Sequence, residues 1–372
     1  MIVYHIHSDP KFINDSLNFD FEDYNNTIVY IGDSADVKNQ TPFPFICIPN
    51  TLNVVTKISE ICKDAQMVVL YDLNTEKIAL ANKLSKKVKV LWRFFGHELY
   101  GRKQKDFLSD NSLELLKQQK TSLFNKIRMS FSHRFKRSLQ VVLFNYNYNF
   151  EEAVKRVDVF LCLFEEEFNI LSTTYKGLPK FVQIPIFKTE IQLELFEYTH
   201  NKNKLIIGNS RNVYNNHIDI LEITQKHRNL NLVLPFNYGS KSLYSRKVEE
   251  IAESQNIKVI KDFMPYEAYV NLLKNSAALV SNSYRQMAVG NILIAIRYGI
   301  NLYLNKKNSV YKVLKNHNFY VFTIEDFKHD ISLKNLSLSE NEVVHNFKVY
   351  NTLCKKYTLY DFKIKLEEKL CN

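Results

Sequence analysis

The chain's 372 residues, 45% apolar and 24% charged, can build two packed cores, which excludes a small stapled domain and a disordered chain alike. Five scattered cysteines with no C-x-x-C pair argue for reduced thiols in a cytoplasmic protein and against a zinc centre, and no apolar run reaches the ~18 residues of a spanning helix. A formal net charge of +11 calls for an anionic partner: nucleic acid, an anionic membrane surface or a phosphorylated substrate.

The opening MIVYHIHSDPKF has no basic region followed by a long apolar core, so it reads as a first strand, Ile2–His7, and not as a leader. Further strands are expected at Thr27–Ile31, Met67–Tyr71, Lys87–Trp92 and Val159–Phe164, with helical spacing at Val54–Lys63 and Thr75–Leu84 between them. Pro179 and Pro185 interrupt any helix and place a connection near residues 180–203. Beyond it the pattern repeats. Strands are expected at Lys204–Ile207, Asn231–Leu234, Lys258–Ile260, Ala278–Ser281, Asn301–Leu304 and Tyr320–Thr323. Helices are expected at Asn216–Lys226, Ser242–Gln255, Pro265–Asn275, Gly290–Tyr298 and Val310–Asn316, with a last one over about Tyr357–Leu370. The alternation predicts two Rossmann-like α/β domains, 1–185 and 204–350, joined by a linker, 186–203, and followed by a helical tail, 351–372.

In open α/β sheets ligands bind outside the carboxyl ends of the strands, so the residues just after each strand carry the functional question. Gly208-Asn209-Ser210 follows one strand and precedes a helix; such a turn either caps the helix or aims N–H groups at a phosphate. LVLPFNYGSKSLY, residues 232–244, offers Tyr238, Gly239 and Ser240 in the same position, with Ser240 or Ser242 as the alternative helix cap. The loop 282–290 sets Tyr284, Arg285, Gln286 and Gly290 ahead of a nearly apolar helix that begins with Asn291. A helix N-terminus and a guanidinium together suit a diphosphate; the plain alternative is an ordinary loop with a surface arginine. In the first half, WRFFGHELYG puts Gly96, His97 and Glu98 after a strand, where a carboxylate or an imidazole could take a proton from a sugar hydroxyl. Residues 113–137 carry one acid, Glu114, against many cations, with Leu123, Ile127, Phe131 and Phe135 recurring at four-residue spacing. A solvated helix packing on its own domain would share that pattern, but the one-sign charge favours a basic amphipathic helix on anionic lipid, carried by Lys126, Arg128, Phe131, Arg134, Phe135, Lys136 and Arg137. No metal-binding motif and no Walker loop is present, and the aromatics form no stacking motif for nucleic acid.

Taken together and in order, WRFFGHELY, IIGNSRNVYNNHIDIL, LVLPFNYGS, MPYEAYVNLLKNSAALV and YRQMAVGNILIAIRYGINLYLNKKN resemble glycosyltransferase family 56, as does the opening HIHSDPKFI. The resemblance spans roughly residues 1–325. It implies a GT-B fold, two Rossmann-like domains facing a central cleft. It also implies a donor site for a dTDP- or UDP-linked sugar on the second domain, and an acceptor carried on polyprenyl diphosphate at the cytoplasmic face of the inner membrane. No cofactor or metal is implied. Gly208, Asn209 and Ser210 match the family's G-N-S loop, Arg285, Gln286 and Gly290 its R-Q…G segment, and Asn305 and Asn308 its N-x-x-N. Gly96, Glu98, Leu99 and Tyr100 match its G-x-D-L-Y, with glutamate replacing aspartate and reaching about 1.5 Å further. On this resemblance Glu98 or Asp9 is the expected base, Lys11, Gly96, His97 and Tyr100 lie on the acceptor side, and Arg285 with the amides near Gly290 and Asn291 meets the departing diphosphate. The competing expectations are a GT-B-fold nucleotide-sugar epimerase, which needs no acceptor, and a non-enzymatic basic protein that docks on membranes.

Overall fold

The computed structural model describes every residue except 34–36, 38–40, 121–123, 194–197, 199–202, 228–229 and 372, and the backbone alone of 119–120 and 124–133. The chain forms two compact units. Met1–Gly101, Leu123–Ile186 and Tyr357–Asn372 make the first; Arg102–Ser122 and Phe187–Lys356 make the second.

In the first unit the chain runs β1 (Ile2–His7), β2 (Asn25–Ile31), β3 (Phe45–Ile48), α1 (Val54–Ile61), β4 (Met67–Tyr71), α2 (Thr75–Lys83), β5 (Lys89–Arg93) and α3 (His97–Tyr100). It then contributes α4 (Gln104–Phe107) and α5 (Asp110–Lys120) to the second unit, where Leu115 packs on the core. It returns through α6 (Phe124–Phe144), α7 (Phe150–Arg156), β6 (Val159–Cys162), α8 (Glu165–Ser172) and β7 (Lys180–Gln183). The sheet order is β3-β2-β1-β4-β5-β6-β7, parallel throughout. Every residue of β4 is buried, as in a strand covered on both faces. β3 and β7 have no counterpart among the expected strands. Both are four-residue edge strands, and Pro44 and Pro49 flank β3, a placement edges tolerate because half their N–H groups have no ladder to fill.

The second unit repeats the plan with β8 (Lys204–Ile207), α9 (His217–Thr224), β9 (Asn231–Pro235), α10 (Leu243–Ser254), β10 (Lys258–Ile260), α11 (Tyr266–Lys274), β11 (Ala278–Ser281), α12 (Val289–Arg297), β12 (Asn301–Leu304), α13 (Ser309–Asn316), β13 (Phe322–Thr323), α14 (Ile324–Leu333) and α15 (Glu340–Lys356). Its order is β10-β9-β8-β11-β12-β13, again parallel. Short polar side chains start several of its helices. Ser242 and Ser245 form a reciprocal capping box on α10, and Thr323 and Asp326 form another on α14. The last helix, α16 (Leu359–Cys371), goes back to the first unit and buries Phe362, Leu366 and Leu370 against Val3, Phe19 and Tyr24. Its four-residue spacing is what lets one helix face do this.

Each sheet has a point where successive connections diverge to opposite sides: between β1 and β4 in the first unit, and between β8 and β11 in the second. These switch points open crevices at the carboxyl ends of the strands.

Candidate active site

In the second unit the loops after β8, β11 and β12 are tied by a run of asparagine amides. Asn216 donates through Nδ2 to Asn282 O at 3.0 Å, Asn282 donates to Asp219 Oδ2 at 3.2 Å, and Asn305 donates to Asn282 Oδ1 at 2.7 Å. Asn308 donates to Ser283 O at 3.0 Å while its Oδ1 takes Val310 N–H at 2.9 Å, capping α13. Asn305 and Asn308 thus build the loop rather than reach out of it. Above this frame the Arg285 guanidinium lies 4.5 Å from the Tyr214 ring centre, and burial with only 8% exposure fixes its direction. Burial also raises the Tyr214 phenol above its usual pKa. Ala288, three residues on, has φ 53, a left-handed backbone that costs a non-glycine residue roughly 1 kcal/mol or more. A cavity of about 630 Å³ opens beside Asn282, Tyr284 and Asn305, walled by α9 and α14.

The other expected donor residues divide. Gly208 adopts φ +62, and a Cβ there would meet His217 Nε2 at 2.6 Å, so this glycine is required by packing. Ser210 is buried and takes Asn215 Nδ2 on Oγ at 3.2 Å; Asn209 is half-buried beside it. The turn is therefore chiefly structural. Ser242, not Ser240, caps α10. Ser240 and Tyr238 are exposed, and Tyr238 O accepts Arg211 N–H at 2.8 Å, which joins the loops after β8 and β9. Gly290 needs no close approach: a Cβ there meets nothing within 4 Å. Asn291 N–H bonds Ala288 O at 2.9 Å and its side chain donates to Tyr269 OH at 2.7 Å, so neither is aimed at an anion. Gln286 Oε1 is buried without a hydrogen-bond partner.

In the first unit the switch point collects ionisable groups. Asp72, just after β4, holds φ 76. Its Oδ1 accepts Asn74 N–H at 2.9 Å and pairs with Lys77 Nζ at 2.8 Å. The Lys77 side chain is fully buried and also donates to Ser8 Oγ at 2.7 Å, tying the ends of β1 and β4. Glu98, on the short helix that Gly96 opens at φ 99, has a fully buried side chain. Its Oε1 takes Leu73 N–H at 3.3 Å, Trp92 Nε1–H at 3.2 Å and Phe95 N–H at 3.4 Å. Glu98 is therefore enclosed, where the sequence expects a base open to the acceptor. His97 is the exposed member, 58% accessible, with Nδ1 3.6 Å from Glu98 Oε2 and Nε2 3.9 Å from Asp72 Oδ2. Asp9, half-buried, accepts Lys11 N–H at 3.0 Å and caps the 3-10 turn Pro10–Phe19. Lys11 is exposed. Tyr100, expected on the acceptor side, is instead fully buried, edge-on to Phe94. Asp72 and Lys77 carry no motif; the turn from β4 into α2 brings them together, and the fold adds Ser8 from the end of β1. Among the described residues no cluster of three or more His, Cys, Asp or Glu could hold a metal ion.

Two parallel sheets of this order, each with polar loops at its switch point, make up the GT-B fold of nucleotide-sugar-dependent glycosyltransferases. Solved structures agree on the fold. A UDP-forming α,α-trehalose-phosphate synthase from Burkholderia vietnamiensis aligns at TM-score 0.64 and 6% identity, covering 99% of each chain. Sucrose-phosphate synthase from Thermosynechococcus elongatus aligns at 0.63 and 9%, over 99% of this chain and 98% of that one. The lipopolysaccharide outer core galactosyltransferase WaaB aligns at 0.56 and 13%, over 96% and 98%. Residues 181–340, which contain the Arg285 loop and the asparagine frame, match the family model of 4-alpha-L-fucosyltransferase glycosyl transferase group 56. The chain is a glycosyltransferase, and the match bears out the family 56 resemblance that its motifs carry.

Proposed function

We propose that this enzyme transfers a deoxy- or acetamido-sugar from a dTDP-linked donor to a saccharide carried on polyprenyl diphosphate, in surface polysaccharide synthesis at the cytoplasmic face of the inner membrane. The observation that carries the donor half is Arg285, buried with its guanidinium 4.5 Å from the Tyr214 ring centre at the β8/β11 switch point, within the segment the family model matches. Its guanidinium supplies a preorganised positive charge for the leaving diphosphate. On the first unit, the acceptor hydroxyl gives up its proton as its oxygen bonds the anomeric carbon. The bond from that carbon to the diphosphate oxygen breaks, and the electron pair leaves with the nucleoside diphosphate. We assign proton acceptance to the exposed His97, whose ring lies 3.6 Å from Glu98 Oε2 and 3.9 Å from Asp72 Oδ2, close enough for both carboxylates to attract the imidazolium that forms. Asp9 is the alternative base. Membrane attachment through α6 keeps the enzyme where a lipid-linked acceptor is confined, and among the described residues no helix is long and apolar enough to cross a bilayer.

The test is a thermal-shift panel of nucleoside diphosphates and nucleotide-sugars, followed by incubation of the best donor with lipid-linked saccharides. Turnover of donor alone into an isomer would make the protein an epimerase instead. No shift with any nucleotide would remove the reading altogether.

A further inference from the structure

The described part of α6 is amphipathic the wrong way round for a helix in water. Residues advance by about 100° around a helix, so Phe135 and Val142 lie within about 20° of each other, roughly 140–160° from Gln140. The polar side is the inward one. Gln140 is buried, donating to Leu52 O at 3.1 Å and accepting from Tyr148 OH at 2.7 Å. Lys136 Nζ donates to Asn50 Oδ1 at 3.0 Å and Asn50 O at 3.2 Å, and the Arg137 guanidinium lies 4.5 Å from the Tyr148 ring centre. Phe135, 61% exposed, and Val142, 80% exposed, face out, while Leu143, about 60° from Gln140 on the flank beside Lys136, is still 59% exposed near the helix's end. Surface helices of water-soluble domains turn their apolar stripe toward the core, because apolar area left in water forfeits the free energy of its burial.

Charge identifies what covers this face. From Leu115 to Phe150 the sequence contains no Asp or Glu, only Lys and Arg among its ionised side chains. Pairing with a second copy would set like charge against like charge. An anionic bilayer satisfies both features at once, taking the apolar side chains into its acyl boundary and pairing cations such as the exposed Arg134 with its headgroups. We infer that Phe135, Val142 and Leu143 are the inserting side chains of a membrane contact, and that Lys136 and Arg137 anchor the helix to its own unit instead of to lipid. This rests on the membrane-bound acceptor proposed above, and it extends the contact expected at 126–137, which already includes Phe135, to Val142 and Leu143.

The experiment is vesicle flotation of the full chain on phosphatidylcholine alone and on phosphatidylcholine with phosphatidylglycerol. The triple variant Phe135→Ser, Val142→Ser, Leu143→Ser should lose tenfold or more in partition to the anionic vesicles while keeping the wild-type unfolding midpoint, since all three side chains are exposed. Val142→Trp, which needs no loss of apolar surface, should bind them more tightly. Wild-type protein that floats with anionic vesicles alongside a triple variant that floats equally well overturns the inference and leaves the membrane reading intact. A concentration-dependent dimer that the triple variant abolishes also overturns it, because a second copy then covers the face. Wild-type protein that never floats removes both.

Discussion

Gly208 and His217 approach so closely that the imidazole Nε2 would stand 2.6 Å from a β-carbon on the glycine. The contact joins the end of β8 to the first turn of α9 and explains the glycine without any ligand. Gly208→Ala should therefore destabilise the fold. The left-handed backbone contributes about 1–2 kcal/mol and the overpacked contact about 1–3 kcal/mol more. Denaturant titration measures this, and an alanine variant as stable as the parent would show that the turn relaxes freely.

Burial holds three histidines neutral in the folded protein. His5 is lowered to about 4, His217 to about 3, and His7 well below its usual value, in each case chiefly by desolvation. In the unfolded chain each returns to near 6.5. Below that pH the unfolded state binds protons that the folded state refuses, so stability must fall as pH drops from about 6.5 toward 4, by about 1.4 kcal/mol per pH unit for each fully titrating histidine. Above about 7 these groups impose no pH dependence. Denaturation midpoints that stay flat between pH 7 and 4.5 would show that the three rings take protons in the folded state too.

His97 and Glu98 are neighbours in sequence and opposites in exposure, and their variants should separate accordingly. His97→Gln should lower kcat by at least a hundredfold with little change in unfolding midpoint, because its side chain is 58% exposed. Glu98→Ala should lower stability first, by leaving the N–H groups of Leu73, Phe95 and Trp92 without their acceptor, at about 1–3 kcal/mol for each group that water cannot reach. A fully active His97→Gln enzyme would remove the imidazole from the chemistry and return attention to Asp9.

Asp72 and Lys77 form a pair in which the lysine side chain is fully buried and the aspartate 11% exposed. Lys77→Met keeps the packing but strands the carboxylate, and should destabilise by about 3–5 kcal/mol. The double variant with Asp72→Asn should recover much of that loss. A double-mutant cycle with no coupling would mean the two groups are stabilised independently.

Arg285 tests the donor half most directly. Arg285→Lys retains the charge but loses the planar, forked guanidinium that lies 4.5 Å from the Tyr214 ring centre, and nucleoside diphosphate affinity should fall at least tenfold in calorimetry while the fold persists. Equal affinity in the lysine variant would reduce the residue's role to simple charge.

Strand and helix periodicity marked all six strands of the second unit, because each buried run such as Ala278–Ser281 is bounded by polar or glycine-bearing loops. The first unit's two edge strands, β3 and β7, carry no such mark. Phe45–Ile48 sits between Pro44 and Pro49, and Lys180–Gln183 between Pro179 and Pro185, and prolines on both sides read as loop. The excursion of residues 102–122 into the second unit was equally illegible, since helical pattern does not reveal which core a helix joins. Side chains of Lys126, Arg128 and Phe131 lie outside the described residues, so the structure bears on the basic helix only from Arg134 onward.

Local order, the residues at the strand ends and the family likeness were all readable from the linear chain, because periodicity, glycines and motif spacing are properties of neighbours. Roles within the site were not. Whether a carboxylate is enclosed like Glu98, whether a cation is anchored like Lys77, and whether an asparagine braces a loop like Asn308 depend on groups far away along the chain. Such partners are set by which strand ends meet at a switch point, and burial and hydrogen bonding at that point decide what each side chain is left free to do.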